Sequence, residues 1–456
     1  MIFLIRTVDM ADLFSRYSGE PLYIQLYMYY RDMIIGGSLK AGDKLPSVRK
    51  CAAEFAVSKM TVENAYMQLT AEGYVNARSQ SGYYVPEISD MTVPYAPADR
   101  GEAEENRFVP KYDLSGSSAD KECFDFNLWQ KYVKYALRCS DRLLSYGDAQ
   151  GEYDLRAAIS EYAAQERGVV CSPSRIVIGA GVQTLIQLLC SLDPERSDVI
   201  FTGAQFEQGS AVFRDYGYRV LRGMDEYSSG SHVSFVYASP SRSNEFCDVM
   251  NISDRASLLN FARKKDCIII EDDYDSEFCY FSRPVSSLQG LDGGINVAYI
   301  GTFSRLLLPS IRISFMVLPE KLEQRYADRA GFYNQTASKT EQIALARYIT
   351  DGKLVTQIRK ARKHYETKAE IMKSRIKREL GPEFVRISDS GFMVFFDLKT
   401  DVDAVGAIEK LRRCGLVVKD IRQAEQNKLR VFVSSASIQQ DDIEISVILL
   451  KKALFI

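Results

Sequence analysis

Residues 21–39, "PLYIQLYMYYRDMIIGGSL", place apolar groups at Leu22, Leu26, Tyr29, Tyr30, Met33 and Ile34. That spacing predicts a helix, closed by Gly36 and Gly37. Pro46 and Ser47 mark the start of a second helix, with Val48, Ala52 and Phe55 on one face. A third begins after Ser58, a side chain suited to capping it, and ends at Glu72–Gly73. Its inward stripe is Val62, Ala65, Tyr66 and Leu69. Two short strands, 74–78 and 82–86, flank the turn "SQSG". Three helices and then a hairpin predict a winged helix-turn-helix over 1–86.

Residues 87–111 lose the periodicity. Pro94, Pro97 and Pro110 interrupt an acidic stretch, which reads as a linker. From 112 onward, apolar runs recur as "RIVIGAG", "DVIFTG", "HVSFVYAS", "CIIIEDD" and "NVAYIGTFS". Helical stretches such as 153–166 and 254–265 lie between several of them. The alternation predicts a parallel, doubly wound sheet, with polar residues gathered at strand ends where such sheets place their ligand crevice. Beyond about 360 comes a helix, then strands "FVRIS" and "GFMVFFDL", a helix at 402–414, and strands "GLVVKDI" and "KLRVFVSSAS". The expected division is a large α/β domain at 112–360 and a smaller α+β subdomain at 361–456.

Composition narrows the function. The chain has 456 residues, 46% of them apolar, and a formal net charge of −2. It is long enough for several domains, and no global field draws it to nucleic acid or lipid. Nine scattered cysteines without a Cys-x-x-Cys pair point to a reduced, cytoplasmic chain and to no metal centre. No run approaches the roughly 20 apolar residues that span a bilayer. The two histidines, His232 and His364, stand apart from the polar clusters, which argues against a histidine-dependent hydrolase.

DNA binding must then come from a local patch. Residues 1–86 hold nine Lys/Arg and eight Asp/Glu, a net +1 that also suits a small helical interaction domain with solvated charges. The arrangement is the signal. The inward stripe leaves Lys59, Thr61 and Asn64 outward at the start of the third helix, where such proteins meet base edges and phosphates. Ser47, Arg49 and Lys50 at the start of the second helix, Ser58 at the third, and the wing tip from Arg78 to Gly82 complete the expected DNA-binding set.

Three clusters at strand ends carry the remaining chemistry. In "CIIIEDDYDSEF", Asp272, Asp273 and Tyr274 come after a buried strand; a carboxylate there suits a protonated ring nitrogen, though Asp clusters also cap turns. In "GTFSRLLLPSIRISF", Gly301, Thr302 and Ser304 offer donors to an anion and Arg312 offers it a charge. In "KLRVFV", Arg430 suits a bidentate carboxylate pair, although a lone strand arginine is commonly a surface charge.

With these clusters, "LPSVRKCAAEFAVSKMTVENAYMQL", "YGDAQGEYDLRAAI", "IIEDDYDSEF" and "GTFSRLLLPSIRI" resemble the MocR branch of the GntR transcriptional regulators. The resemblance runs from Pro21 to the C-terminus. It implies a winged helix-turn-helix joined to an α/β domain like the fold-type I, pyridoxal-phosphate-dependent aminotransferases (class I/II), working as a homodimer on double-stranded operator DNA. It implies that Asp272 holds the pyridine nitrogen, Tyr274 the ring hydroxyl, and Thr302, Ser304 and Arg312 the phosphate. Arg430 is implied to hold an amino acid's α-carboxylate.

The same resemblance marks departures. The family's Schiff-base lysine stands at 305, where this chain has Arg305. Phe206 replaces the tyrosine that stacks on the ring, Val182 replaces a hydroxyl residue, and Arg242–Ser243 replace a His–Gln pair. A guanidinium has no comparable nucleophilicity, so a Schiff base at 305 is excluded and no catalytic residue is assigned. Arg305 and Arg312 together still suit an anion. Three readings stay open. The large domain senses a small anionic ligand without turnover: noncovalent pyridoxal phosphate, its adduct with an amino acid, or another carboxylate or phosphate metabolite. It is an aminotransferase-like enzyme using another lysine. Or it is a ligand-free dimerisation scaffold.

Overall fold

The computed structural model describes residues 19–79, 81–87, 108–203, 206–228, 230–278, 286–304, 306–382, 384–400, 402–425 and 427–455. Most of the expected linker, and Arg305, lie outside the described residues. The chain divides into two compact units, up to Arg107 and from Phe108.

In the first unit, α1 (Leu22–Ile35), α2 (Val48–Glu54) and α3 (Lys59–Ala71) precede an antiparallel hairpin of β1 (Asn76–Arg78) and β2 (Gly82–Tyr84). Val62, Ala65, Tyr66 and Leu69 are fully buried, as the stripe predicts. They meet Leu26, Tyr30 and Ile34 of α1 and Cys51 and Ala52 of α2. The Tyr66 hydroxyl donates to the Pro46 carbonyl at 3.0 Å, tying α3 to the entry of α2. Cys51, fully buried, is a core position that the expected face of α2 omits.

In the second unit, β3 (Tyr112–Leu114) leads to α4 (Phe126–Arg138), α5 (Tyr153–Arg167) and β4 (Ile176–Gly179). Next come α6 (Val182–Leu192), β5 (Asp198–Thr202), α7 (Glu207–Asp215), β6 (Arg219–Leu221), β7 (Val233–Ala238), α8 (Ile252–Lys265), β8 (Ile268–Asp273), β9 (Val297–Thr302) and β10 (Ser314–Val317). The sheet order is β4-β10-β9-β8-β7-β5-β6. The strands read as unbroken apolar runs because both faces are covered. Ala298 and Ile300 of β9 pack with Leu185, Ile186 and Leu189 of α6, whereas Tyr299 between them packs with Leu155 and Ile159 of α5.

The sheet is mixed, not wholly parallel as the alternation predicts. β10 runs antiparallel to both β4 and β9. The segment from Phe303 to Ile313 is short for a parallel crossover, which takes about a dozen residues or more and usually a helix, so the chain returns antiparallel. Since β4 and β9 both oppose β10, the carboxyl ends of β4, β7, β8 and β9 still share one edge.

After α9 (Glu320–Ala327) and α10 (Lys339–Thr350), α11 spans Lys353–Leu380 and begins earlier than the sequence pattern suggests. The C-terminal part has β11 (Phe384–Ile387), β12 (Met393–Lys399), α12 (Ala404–Arg413), β13 (Leu416–Val418), β14 (Asp420–Glu425), β15 (Lys428–Ser434) and α13 (Ile443–Phe455). β11-β12-β15-β14 form an antiparallel sheet. β3 pairs in parallel with β13, and Tyr112 and Leu114 join the C-terminal core. The chain therefore enters through the smaller subdomain, so a large domain starting at 112 divides what the pairing joins.

Candidate functional site

The winged unit displays the expected DNA-binding residues on two helix starts and a wing. Arg49, Lys50 and Lys59 are exposed, and Thr61 and Asn64 are half-buried along α3. Ser58 Oγ accepts from the Thr61 amide at 3.0 Å, and Ser47 Oγ accepts from the Lys50 amide at 3.3 Å. Both serines are thus helix caps, each worth about 1 kcal/mol. On the wing, Arg78 lies 4.7 Å and Lys44 5.6 Å from the Tyr84 ring centroid. Gly82 takes φ +116°, which lets the strand leave the tight turn. Sequence reasoning misses Lys44 because its partner across the wing, Tyr84, is forty residues away.

In the second unit a cavity of about 510 Å³ opens at the shared carboxyl edge. Phe206, Asp272, Tyr274, Thr302, Ser304 and Arg312 all line it. β8 positions Asp272, whose neighbours Glu271 and Asp273 are buried and bonded elsewhere. Glu271 accepts from the Leu288 and Gln289 amides at 2.9 Å each, and Asp273 holds Arg167 at 2.7 Å and the Tyr299 hydroxyl at 2.6 Å. Alternation along the strand leaves Asp272 to the cavity. Its Oδ2 accepts from the Tyr237 hydroxyl at 2.5 Å. Its Oδ1 is out of solvent and has no hydrogen-bond partner among the described residues. Burial pushes this carboxyl up to about 6, against the Tyr237 hydrogen bond and the Arg242 charge. Phe206 stacks on Tyr237 with centroids 5.9 Å apart and rings inclined by 30°.

A second group of residues on the cavity suits an anion. Thr302 ends β9, and its Oγ1 accepts from Ser314 Oγ at 2.9 Å and from the Ser304 amide at 3.3 Å. Arg312 takes φ +52° and donates from Nη2 to the Ala180 carbonyl at 3.3 Å. The guanidinium lies over Gly181, the N-cap of α6; a Cβ there would stand 2.5 Å from Nη2. A helix N-terminus, an arginine and two hydroxyls meet at one place, as anion sites require.

Two family models match. "Bacterial regulatory proteins, gntR family" covers residues 22–85, and "Aminotransferase class I and II" covers 127–447. An uncharacterised HTH-type transcriptional regulator of Bacillus subtilis, YdeL, is 33% identical over 98% of this chain and 99% of its own length. The probable rhizopine catabolism regulatory protein MocR of Rhizobium meliloti is 31% identical over 80% of this chain and 79% of its own length. The chain is a MocR-type member of the GntR transcriptional regulators. Its second unit has the fold of Pyrococcus horikoshii kynurenine aminotransferase, solved in complex with PMP: TM-score 0.63 at 22% identity, covering 76% of this chain and 91% of that one.

One expectation for this MocR-type chain needs correction. Arg430 is not among the cavity-lining residues. Its Nε and Nη2 grip Asp397 at 2.8 and 3.0 Å, and Nη1 donates to Glu245 at 3.2 Å. The β12–β15 register sets Asp397 directly opposite Arg430, so an internal carboxylate takes the fork that the resemblance assigns to a ligand. The cavity also holds residues that sequence reasoning passes over: Tyr237, Lys419 and, known only as a departure, Arg242.

Proposed function

We propose that this regulator reads operator DNA through its winged unit and uses its aminotransferase-like unit as a noncovalent ligand sensor without transamination. The observation that carries the reading is that one cavity is lined both by a buried carboxylate and by a group of anion-binding residues. Asp272, whose Oδ1 is buried and has no hydrogen-bond partner among the described residues, lines the same cavity as Thr302, Ser304, Arg312 and Gly181 at the α6 N-terminus. That lining fits pyridoxal phosphate. Asp272 would hold the ring nitrogen, Tyr274 the ring hydroxyl, Phe206 the ring face, and Thr302, Ser304 and Arg312 the phosphate. When bound, this cofactor supplies an aldehyde that condenses with amines.

The chain's own residues limit the chemistry open to that group. The sequence has arginine at 305, and a guanidinium neither tethers that aldehyde nor shuttles a proton as a lysine amine does. Lys419 also lines the cavity, and borohydride reduction tests its amine; the reading proposed is binding, with the ligand's differential affinity for two states of a homodimer altering how two DNA half-sites are engaged. The test is calorimetric titration of the full chain with pyridoxal phosphate, and then borohydride reduction and mass spectrometry. Saturable binding with no reduced adduct supports the reading. An adduct on the chain, or amino-group exchange between an amino acid and a keto acid, refutes it.

A further inference from the structure

We propose that Arg242, in the loop after β7, receives a carboxylate of the cavity's ligand. The inference rests on the cavity being a ligand site, the reading proposed for the second unit. Arg242 lines the same cavity as Asp272 and Arg312. Its guanidinium carbon sits 5.6 Å from the Tyr274 ring centroid, a contact that restrains the plane of the fork. Its Nε is out of solvent and has no hydrogen-bond partner among the described residues. A buried donor left in that state is costly, and an incoming carboxylate is the group that satisfies it best.

The comparison with Arg430 decides between the two arginines. Arg430 already spends its nitrogens on Asp397 and Glu245. Burial opposes the charge on Arg242, but Asp275, Cys247 and Asp272 more than offset it, so the guanidinium is held firmly cationic. Arg242, Asp272 and Arg312 line one cavity, which matches a ligand bearing a carboxylate, a protonatable nitrogen and a phosphate.

Two probes share the ring and phosphate and differ in the carboxylate: pyridoxamine phosphate lacks it, and N-(5′-phosphopyridoxyl)-L-alanine carries it. Calorimetry on the full chain is expected to show tighter binding of the second. Arg242→Gln should weaken the carboxylate ligand about tenfold or more, the scale of a charge-assisted hydrogen bond, and change pyridoxamine phosphate less than about twofold. Arg430→Gln should leave the preference intact. Arg242→Lys keeps the charge and loses the fork, so it supplies the same comparison at several-fold loss should the glutamine variant not fold. Equal weakening of both ligands by Arg242→Gln overturns the proposal, as does a preference that Arg430→Gln abolishes. Binding of both probes without preference overturns the Arg242 assignment alone. Failure of both probes to bind the unaltered chain overturns the ligand-sensor reading together with it.

Discussion

Asp272→Asn should stabilise the second unit at neutral pH. Asp272 has an ordinary value of 3.8 and is pushed up to about 6 in the fold, chiefly by burial. A carboxyl whose folded value lies above its unfolded value stabilises the fold while protonated. That contribution is complete below about 4 and is lost as pH rises through about 6. At pH 7.5 the fold therefore carries an ionised carboxylate at a cost of roughly 2–3 kcal/mol, from about 1.4 kcal/mol per pKa unit. Asparagine keeps an oxygen for the Tyr237 hydroxyl, which Asp272 accepts at 2.5 Å, and drops the charge. The chain's single tryptophan, Trp129, makes the assay specific: it is buried in the second unit, 5.6 Å from Tyr348. Urea unfolding monitored by its fluorescence should show the variant more stable by up to about 2–3 kcal/mol at pH 7.5, by about a third of that near pH 4.5, and equal to the parent only below about pH 3.5. Other buried carboxyls such as Glu271, raised to about 7, titrate in both proteins and cancel in the difference. A difference that is flat across this range, or a variant less stable at pH 7.5, refutes the reasoning.

Further outcomes test the remaining parts of the molecule. Lys59→Ala and Arg49→Ala should each weaken operator binding and lower the slope of log affinity against log salt by about 0.9, read by fluorescence anisotropy; an unchanged slope for both removes them from the DNA interface. Ser58→Ala should destabilise the winged unit by about 1 kcal/mol in thermal unfolding and leave that slope alone, because the hydroxyl caps α3. Gly181→Ala meets Arg312 at 2.5 Å and forces alanine to φ +110°, so calorimetry should show weaker binding of pyridoxal phosphate and melting should show a loss of about 1–2 kcal/mol. Wild-type affinity in that variant would place the anion elsewhere.

The sequence discloses most where one periodicity rules. The stripe of α3 is legible residue by residue because one helix face is buried and the other is wet. The strands of the large sheet are legible as elements but not as faces. Val233–Ala238 is buried throughout, so no alternation marks Tyr237 as the residue whose hydroxyl reaches Asp272. β6 and β10, three and four residues long, fall below the length at which an apolar run stands out. Arg430 is misread from sequence for a related reason. Which carboxylate an arginine on a strand finds depends on cross-strand register, and Asp397 is 33 residues away in sequence.

The pairing of Arg430 also explains how the site holds its charges. A strand pairs its side chains with neighbours already in the fold, so an arginine in mid-strand is readily neutralised by the protein itself, as Asp397 neutralises Arg430. Arg242, in the loop beyond β7, has no ladder partner to impose that pairing, and Asp272 near the end of β8 has the apolar Ile300 opposite it on β9. Each keeps a buried polar atom that has no hydrogen-bond partner among the described residues. Such atoms cost folding energy, and they leave hydrogen-bonding capacity for a molecule that arrives later. A scaffold that bound nothing would gain stability by replacing them with apolar side chains, so the Asp272→Asn measurement also weighs the sensor reading against the scaffold.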